Sequence, residues 1–111
     1  MNKGNSRLEV FIVLTTLGSK EKAFSLAEKI LENRLAGCIN CKEVNSKYWW
    51  NKEIQSSEEF ELLIKTNSAN LDLLIETIIS TSDYDLPEVI YWPVKASYKY
   101  TDWINKNCRI N

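Results

Sequence analysis

The sequence predicts an α+β domain with strands and helices in the order β-α-β-β-α-β-α, on three observations. A nearly unbroken β-branched and aromatic run, Leu8 to Thr15, opens the patterned part of the chain, as in a strand covered on both faces. Two later segments repeat apolar residues at i, i+3, i+4 and i+7, the period of an amphipathic helix. Between them, strand-like runs flank the two polar residues Asn51-Lys52, the signature of a hairpin.

Residues 1–7 are polar and are expected to form a disordered tail, leaving 8–111 as one domain. Gly18 and Ser19 end the first strand, and the Ser19 hydroxyl is placed to cap a helix. Ala23, Phe24, Ala27, Ile30, Leu31 and Leu35 supply that helix with an apolar stripe, ending near Gly37. Cys38 to Trp50 is less regular but finishes in Tyr48-Trp49-Trp50, strong strand formers. Asn51 suits the positive φ of a primed turn, whereas Lys52 stands where glycine is preferred. Glu53-Ile54-Gln55 follows. Glu59 to Thr66 then alternates, with Phe60, Leu62 and Ile64 on one face and Glu59, Glu61 and Lys65 on the other. Ser68 is the expected cap of a second helix whose stripe is Leu71, Leu74, Ile75, Ile78 and Ile79. Ser80 to Asp85 reads as a polar loop, and Glu88 to Val94 as a last strand in which Pro93 marks an edge or an end. A short helix around Asp102-Trp103-Ile104, capped by Ser97, closes the chain.

Two βαβ units joined by a central hairpin give a ferredoxin-like split βαβ arrangement, a four-stranded antiparallel sheet with two helices on one face. The opposite face must then carry Leu63 and some of Val10, Ile12, Leu14, Ile90, Trp92 and Val94. The parity of the all-apolar strands stays open. Either choice leaves more apolar surface than a small monomer normally exposes, so self-association through the sheet is expected.

Composition narrows the chemistry. The 111 residues include no histidine, which removes the commonest general base and metal ligand and excludes Ser-His and Cys-His catalysis. Any enzyme would have to rely on Lys65, Glu88 or a cysteine, so the chain is read as non-catalytic. A formal charge of -1 argues against binding nucleic acid. The longest apolar run is far short of the ~20 residues of a membrane span. The three cysteines, Cys38, Cys41 and Cys108, cannot close a disulfide framework, which fits reduced thiols and a cytoplasmic location.

Five segments in order resemble the CutA family of divalent-cation tolerance proteins. They are Phe11 to Thr16, Ala27 to Asn40 (AEKILENRLAGCIN), Tyr48 to Gln55 (YWWNKEIQ), Ile64-Lys65-Thr66, and Tyr84 to Ile90 (YDLPEVI). The resemblance covers about residues 8–106. It implies a ferredoxin-like protomer in a homotrimer, with an architecture similar to PII signalling proteins. It also implies an association with tolerance of, or response to, copper and other divalent cations, so that a divalent cation is the only cofactor it brings forward. Here the family's metal-associated cysteine and histidines are replaced by Thr15, Thr81 and Ser82, and the hairpin glycine by Lys52.

The candidate sites are weighed accordingly. Soft metals want at least three thiolate or imidazole ligands. Cys38 and Cys41 form a C-x-x-C whose members point to opposite faces of a strand, so no metal ligands are assigned. Asp83, Asp85 and Glu88 offer oxygen ligands to a hard cation but have no EF-hand spacing and read as a solvated acidic loop. The aromatic residues Tyr48, Trp49, Trp50, Tyr91, Trp92, Tyr98, Tyr100 and Trp103 fit a subunit interface better than base stacking. The resemblance implies an intersubunit cleft at Cys38, Trp50, Lys65 and Glu88, where convergent polar groups would hold a small anion or metabolite; a metal ion is the other possible partner. The expected function is that of a trimeric, non-catalytic metal-tolerance protein. A PII-like sensor of a small molecule is the alternative.

Overall fold

The computed structural model describes residues 8–109; the expected tail at 1–7 lies outside the described residues. The elements are β1 (Val10–Leu17), α1 (Lys20–Glu32), β2 (Cys38–Trp50), β3 (Glu53–Asn67), α2 (Leu71–Thr81), β4 (Ile90–Val94) and α3 (Tyr98–Asn107). The expected order is therefore observed. The four strands form one sheet in the order β2-β3-β1-β4, with every neighbouring pair antiparallel. β4 is an edge strand, and Pro93 sits opposite Phe11 in it, where a missing N–H costs no central ladder bond.

Register settles the parity that the apolar strands left open. Val13 lies opposite Ile64, Thr15 opposite Leu62 and Leu17 opposite Phe60. These share a face with Ile39 and Cys41, because cross-strand partners point the same way. That face packs under Ala23, Leu26 and Ile30 of α1 and Leu74 and Ile78 of α2 as the main core. The other face carries Ile12, Leu14, Leu63, Ile90 and Trp92. At one end of it, Val10, Val94 and Cys38 are covered by Ile104, Cys108 and Tyr100 from the C-terminal segment. The terminal helix thus shields the face that α1 and α2 leave bare. The central rows of that face stay accessible, with Ile90 49% and Trp92 40% exposed.

Several local expectations are corrected. β1 runs two residues later than Leu8–Thr15, to Leu17. α1 stops well before Gly37, because Arg34 takes a left-handed conformation (φ 59°). There the amide of Leu35 donates to the Ile30 carbonyl and that of Arg34 to the Leu31 carbonyl, closing the last turn. Gly37 instead admits α3: a Cβ there would lie 3.0 Å from Ile104 Cδ1. The buried stripe of α1 includes Leu26, while Phe24 and Leu31 are 50% and 40% exposed. In α2, Ile79 is likewise exposed.

The segments 53–55 and 59–66 are one continuous strand, β3. Its charged face is not all solvent-exposed, since Glu59 is only 8% exposed. Ser68 does not cap α2. Asn67 Oδ1 accepts from the backbone amide and the side-chain amide of Asn70, the residue that precedes the helix. Ser80 and Thr81 continue that helix rather than beginning the loop, and β4 starts at Ile90 rather than Glu88. The caps at Ser19 and Ser97 form as expected, accepting from the amides of Lys22 (3.2 Å) and Tyr100 (3.3 Å). Asn51 and Lys52 both have positive φ (52° and 66°), the pair of values a two-residue primed turn requires.

Candidate functional site

The hairpin outgrows the rest of the sheet. β1 pairs with β3 only as far as Phe60, so residues 53–59 and their partners on β2 project beyond it. The loop from 82 to 89 packs beside the base of this projection. Thr15, 2% exposed, anchors it by donating its hydroxyl to the Glu88 carbonyl at 2.7 Å. Tyr84 anchors it a second time, donating its hydroxyl to Glu59 Oε2 at 2.7 Å. Burial, then the bond to Glu59, pushes the Tyr84 phenol above its usual range, so it remains a donor at any ordinary pH.

Between the projecting hairpin and this loop lies a cleft of about 800 Å³. Trp50 and Glu88 both line it, together with Thr16, Tyr48, Glu59 and Tyr84. Glu88 sits close to Glu59 and Glu61. Partial burial and those two carboxylates raise its pKa, against a hydrogen bond with Thr16 that pulls it down.

Cys38 and Lys65 lie at the other end of the same sheet face. They are direct cross-strand partners, with Lys65 Nζ 3.9 Å from Cys38 Sγ. The ammonium also lies 5.9 Å from the centre of the Tyr100 ring, within cation–π range. Tyr100 in turn stacks on Trp103 at 5.7 Å. Within one chain, then, the four expected cleft residues form two separate pairs, Cys38 with Lys65 and Trp50 with Glu88. Tyr84, Glu59 and Tyr100 complete these two clusters. The period-two pattern of β3 already set Glu59 beside Glu61. Nothing local linked either to Tyr84, 25 residues away.

The three positions where the resemblance would place soft ligands hold hydroxyl side chains engaged in hydrogen bonds. Thr15 bonds the Glu88 carbonyl, Thr81 donates to the carbonyls of Thr77 and Ile78, and Ser82 accepts from the Tyr84 amide. Cys38 and Cys41 face opposite sides of the sheet, in the two different clusters of apolar residues. Among the described residues, no three histidine, cysteine, aspartate or glutamate side chains gather closely enough to hold one metal ion. No helix among them is long and apolar enough to cross a membrane.

Comparison with known proteins gives a consistent result. A profile of the CutA1 divalent ion tolerance protein family matches residues 11–107. The chain is 34% identical to protein CutA 1, chloroplastic, of Oryza sativa subsp. japonica over 98% of its own length and 63% of that protein's. It therefore spans less than two thirds of that plant relative. It is 33% identical to the divalent-cation tolerance protein CutA of Thermus thermophilus, over 86% of this chain and 95% of the relative. Among solved structures, CutA1 from Oryza sativa superposes with a TM-score of 0.90 at 34% identity, covering 96% of this chain and 99% of that one. CutA1 from Pyrococcus horikoshii superposes with a TM-score of 0.86 at 28% identity, covering 90% and 99%.

Proposed function

Because the chain belongs to the CutA1 divalent ion tolerance protein family, we propose that it acts as a non-catalytic, homotrimeric binding protein of the cytoplasm, in the service of divalent-cation tolerance, copper included. Its protomer is read as ferredoxin-like, in keeping with the strand order β2-β3-β1-β4.

The observation that carries the reading is the uncovered sheet face. Ile12, Leu14, Leu63, Ile90 and Trp92 form a contiguous apolar patch flanked by the two half-sites. A patch of this kind favours burial against another copy. A head-to-tail contact that closes into a ring would set one copy's Cys38–Lys65 pair near a neighbour's Trp50–Glu88 pair. Two separated clusters would become one intersubunit cleft, open to a small ligand or metal ion. The PII-like reading, a sensor of a small molecule in that cleft, rests on the same arrangement.

Light scattering on the purified chain tests the assembly. The expected mass is three times 12.9 kDa, and a mass of one chain would refute it. Calorimetric titration with Cu(I), Zn and Mg of the wild type and Cys38→Ser tests the metal reading. Soft-metal binding is expected to be weak and to depend on Cys38; tight Cu(I) binding unaffected by Cys38→Ser contradicts that ligand assignment.

A further inference from the structure

We propose that Asn67 and Asn70, two buried side chains at the junction of β3 and α2, are positioning residues for the Cys38–Lys65 half-site, orienting α3 so that Tyr100 closes over it. This deepens the reading of that pair as half of a binding cleft and rests on it.

Tyr100 reaches the half-site from α3. Its ring lies 5.9 Å from Lys65 Nζ, and its hydroxyl is hydrogen-bonded with Cys38 and Lys65. Burial, then the contact with Cys38, raises the phenol above its usual range, against Lys65, which pulls it down. The ion pairs among the described residues leave Lys65 out. Where α3 points therefore decides what a ligand or a neighbouring copy meets at Lys65.

Apolar packing alone leaves that direction underdetermined. Ile104 and Cys108 are buried with Val10, but the hydrophobic effect is non-directional. It sets how deeply the helix lies more than its rotation or its slide along the sheet. Directional bonds supply the rest. Asn67 is 2% exposed and Asn70 0%. Asn67 Nδ2 donates to Asn105 Oδ1, within α3, at 2.9 Å. Asn70 Nδ2 donates to the carbonyl of Arg109, just past the end of α3, at 3.0 Å. Asn67 Oδ1 accepts from both the backbone amide and Nδ2 of Asn70, at 3.2 and 2.9 Å, which locks the two side chains together. The C-terminal segment is thus gripped at two points along its axis, by buried donors that water cannot readily replace.

A capping role accounts for Asn67 Oδ1 alone, which serves the start of α2. It does not account for the two side-chain donors that leave α2 and reach the C-terminal segment. Those donors lie beside what they position. Asn67 and Lys65 are two residues apart on β3 and project from the same face. Asn105 follows Tyr100 by five residues, about 7.5 Å along the helix axis. Two successive same-face positions of one strand therefore meet the same stretch of α3. Asn67 bonds it, and Lys65 receives its aromatic ring.

The test is NMR of the full-length chain, reading the Lys65 side-chain methylene signals. The part of their shift that comes from the Tyr100 ring is the part lost in Tyr100→Leu. Asn67→Ala and Asn70→Ala should each remove about half of that part or more. Tyr84→Phe, which breaks a hydrogen bond at the other end of the sheet, should leave it intact and so separates positioning from general loosening. If the alanine variants fail to fold, exchange of the wild-type Asn67 and Asn70 Nδ2 protons is measured instead. It should be at least about tenfold slower than that of the exposed Asn51 side chain. No change at Lys65 in Tyr100→Leu or in both alanine variants, an equal loss in Tyr84→Phe, or fast exchange at Asn67 and Asn70 would overturn the proposal. Failure here beside a trimer mass by light scattering removes this inference alone; a monomer mass removes the assembly.

Discussion

Removing one hydroxyl, in Tyr84→Phe, tests how the cleft is held in shape. The ring and its packing remain, and only the 2.7 Å bond to Glu59 Oε2 is lost. Glu59 is 8% exposed, so water replaces that donor poorly. A hydrogen bond to a charged acceptor contributes about 1.5–3 kcal/mol net. Tyr84 is itself only half-buried, so a loss of about 2 kcal/mol is expected. At about 4 °C per kcal/mol for a domain of this size, Tm should fall by roughly 8 °C. The phenol stays protonated well beyond its usual range, so the loss should be the same at pH 6 and pH 9. Urea denaturation followed by circular dichroism at one fixed protein concentration measures it. A double-mutant cycle with Glu59→Gln should return a coupling of about 1–2 kcal/mol. A change below about 0.5 kcal/mol, or a coupling of zero, would show that the bond does not hold the loop on the hairpin.

Two further outcomes are expected. Lys52→Gly should stabilise the chain by about 0.5–1 kcal/mol in the same urea assay, because Lys52 sits at φ 66° where a Cβ is strained; a destabilised variant would show that the turn is not a primed one in solution. Glu88→Gln should open a stability gap that grows with pH. The raised pKa of folded Glu88 means that its contribution is full below the ordinary glutamate range and is lost as pH rises through its folded value. Thermal melts should therefore coincide near pH 4 and favour the variant at pH 7, within about 0.5 kcal/mol for so exposed a residue; a gap that shrinks with pH would contradict the burial and the repulsion from Glu59 and Glu61 that raise the Glu88 pKa.

For the candidate site the sequence supplied names rather than geometry. Cys38, Trp50, Lys65 and Glu88 could be named from the resemblance, and within one chain they fall into two pairs. Their division into two pairs could not be read, because it follows from where β1 stops and the hairpin continues. Tyr84 was visible as an aromatic between two aspartates, yet its partner is 25 residues upstream. Long-range hydrogen bonds leave no periodic trace in a chain, whereas caps do. The Ser19 and Ser97 caps were foreseen for that reason, and the Asn67–Asn70 contact that replaced Ser68 was not, since Asn67 serves β3 and α2 together.

The absent histidine removed whole classes of catalysis from composition alone, and no later observation was needed for it. Element order and the hairpin turn were likewise determined by the sequence, and Pro93 was narrowed to an edge or a strand end, because period, turn chemistry and a missing N–H act over a few residues. Tertiary structure alone decided which face of β1 and β4 meets the helices. A strand that is apolar on both sides carries no contrast to orient it, so the choice falls to its partners: Ile64 and Leu62 turn Val13 and Thr15 inward and leave Ile12 and Leu14 outward. The placement of α3 was decided the same way, through Gly37, whose missing side chain admits Ile104. Burial belongs to elements that meet, and no window of neighbouring residues contains it.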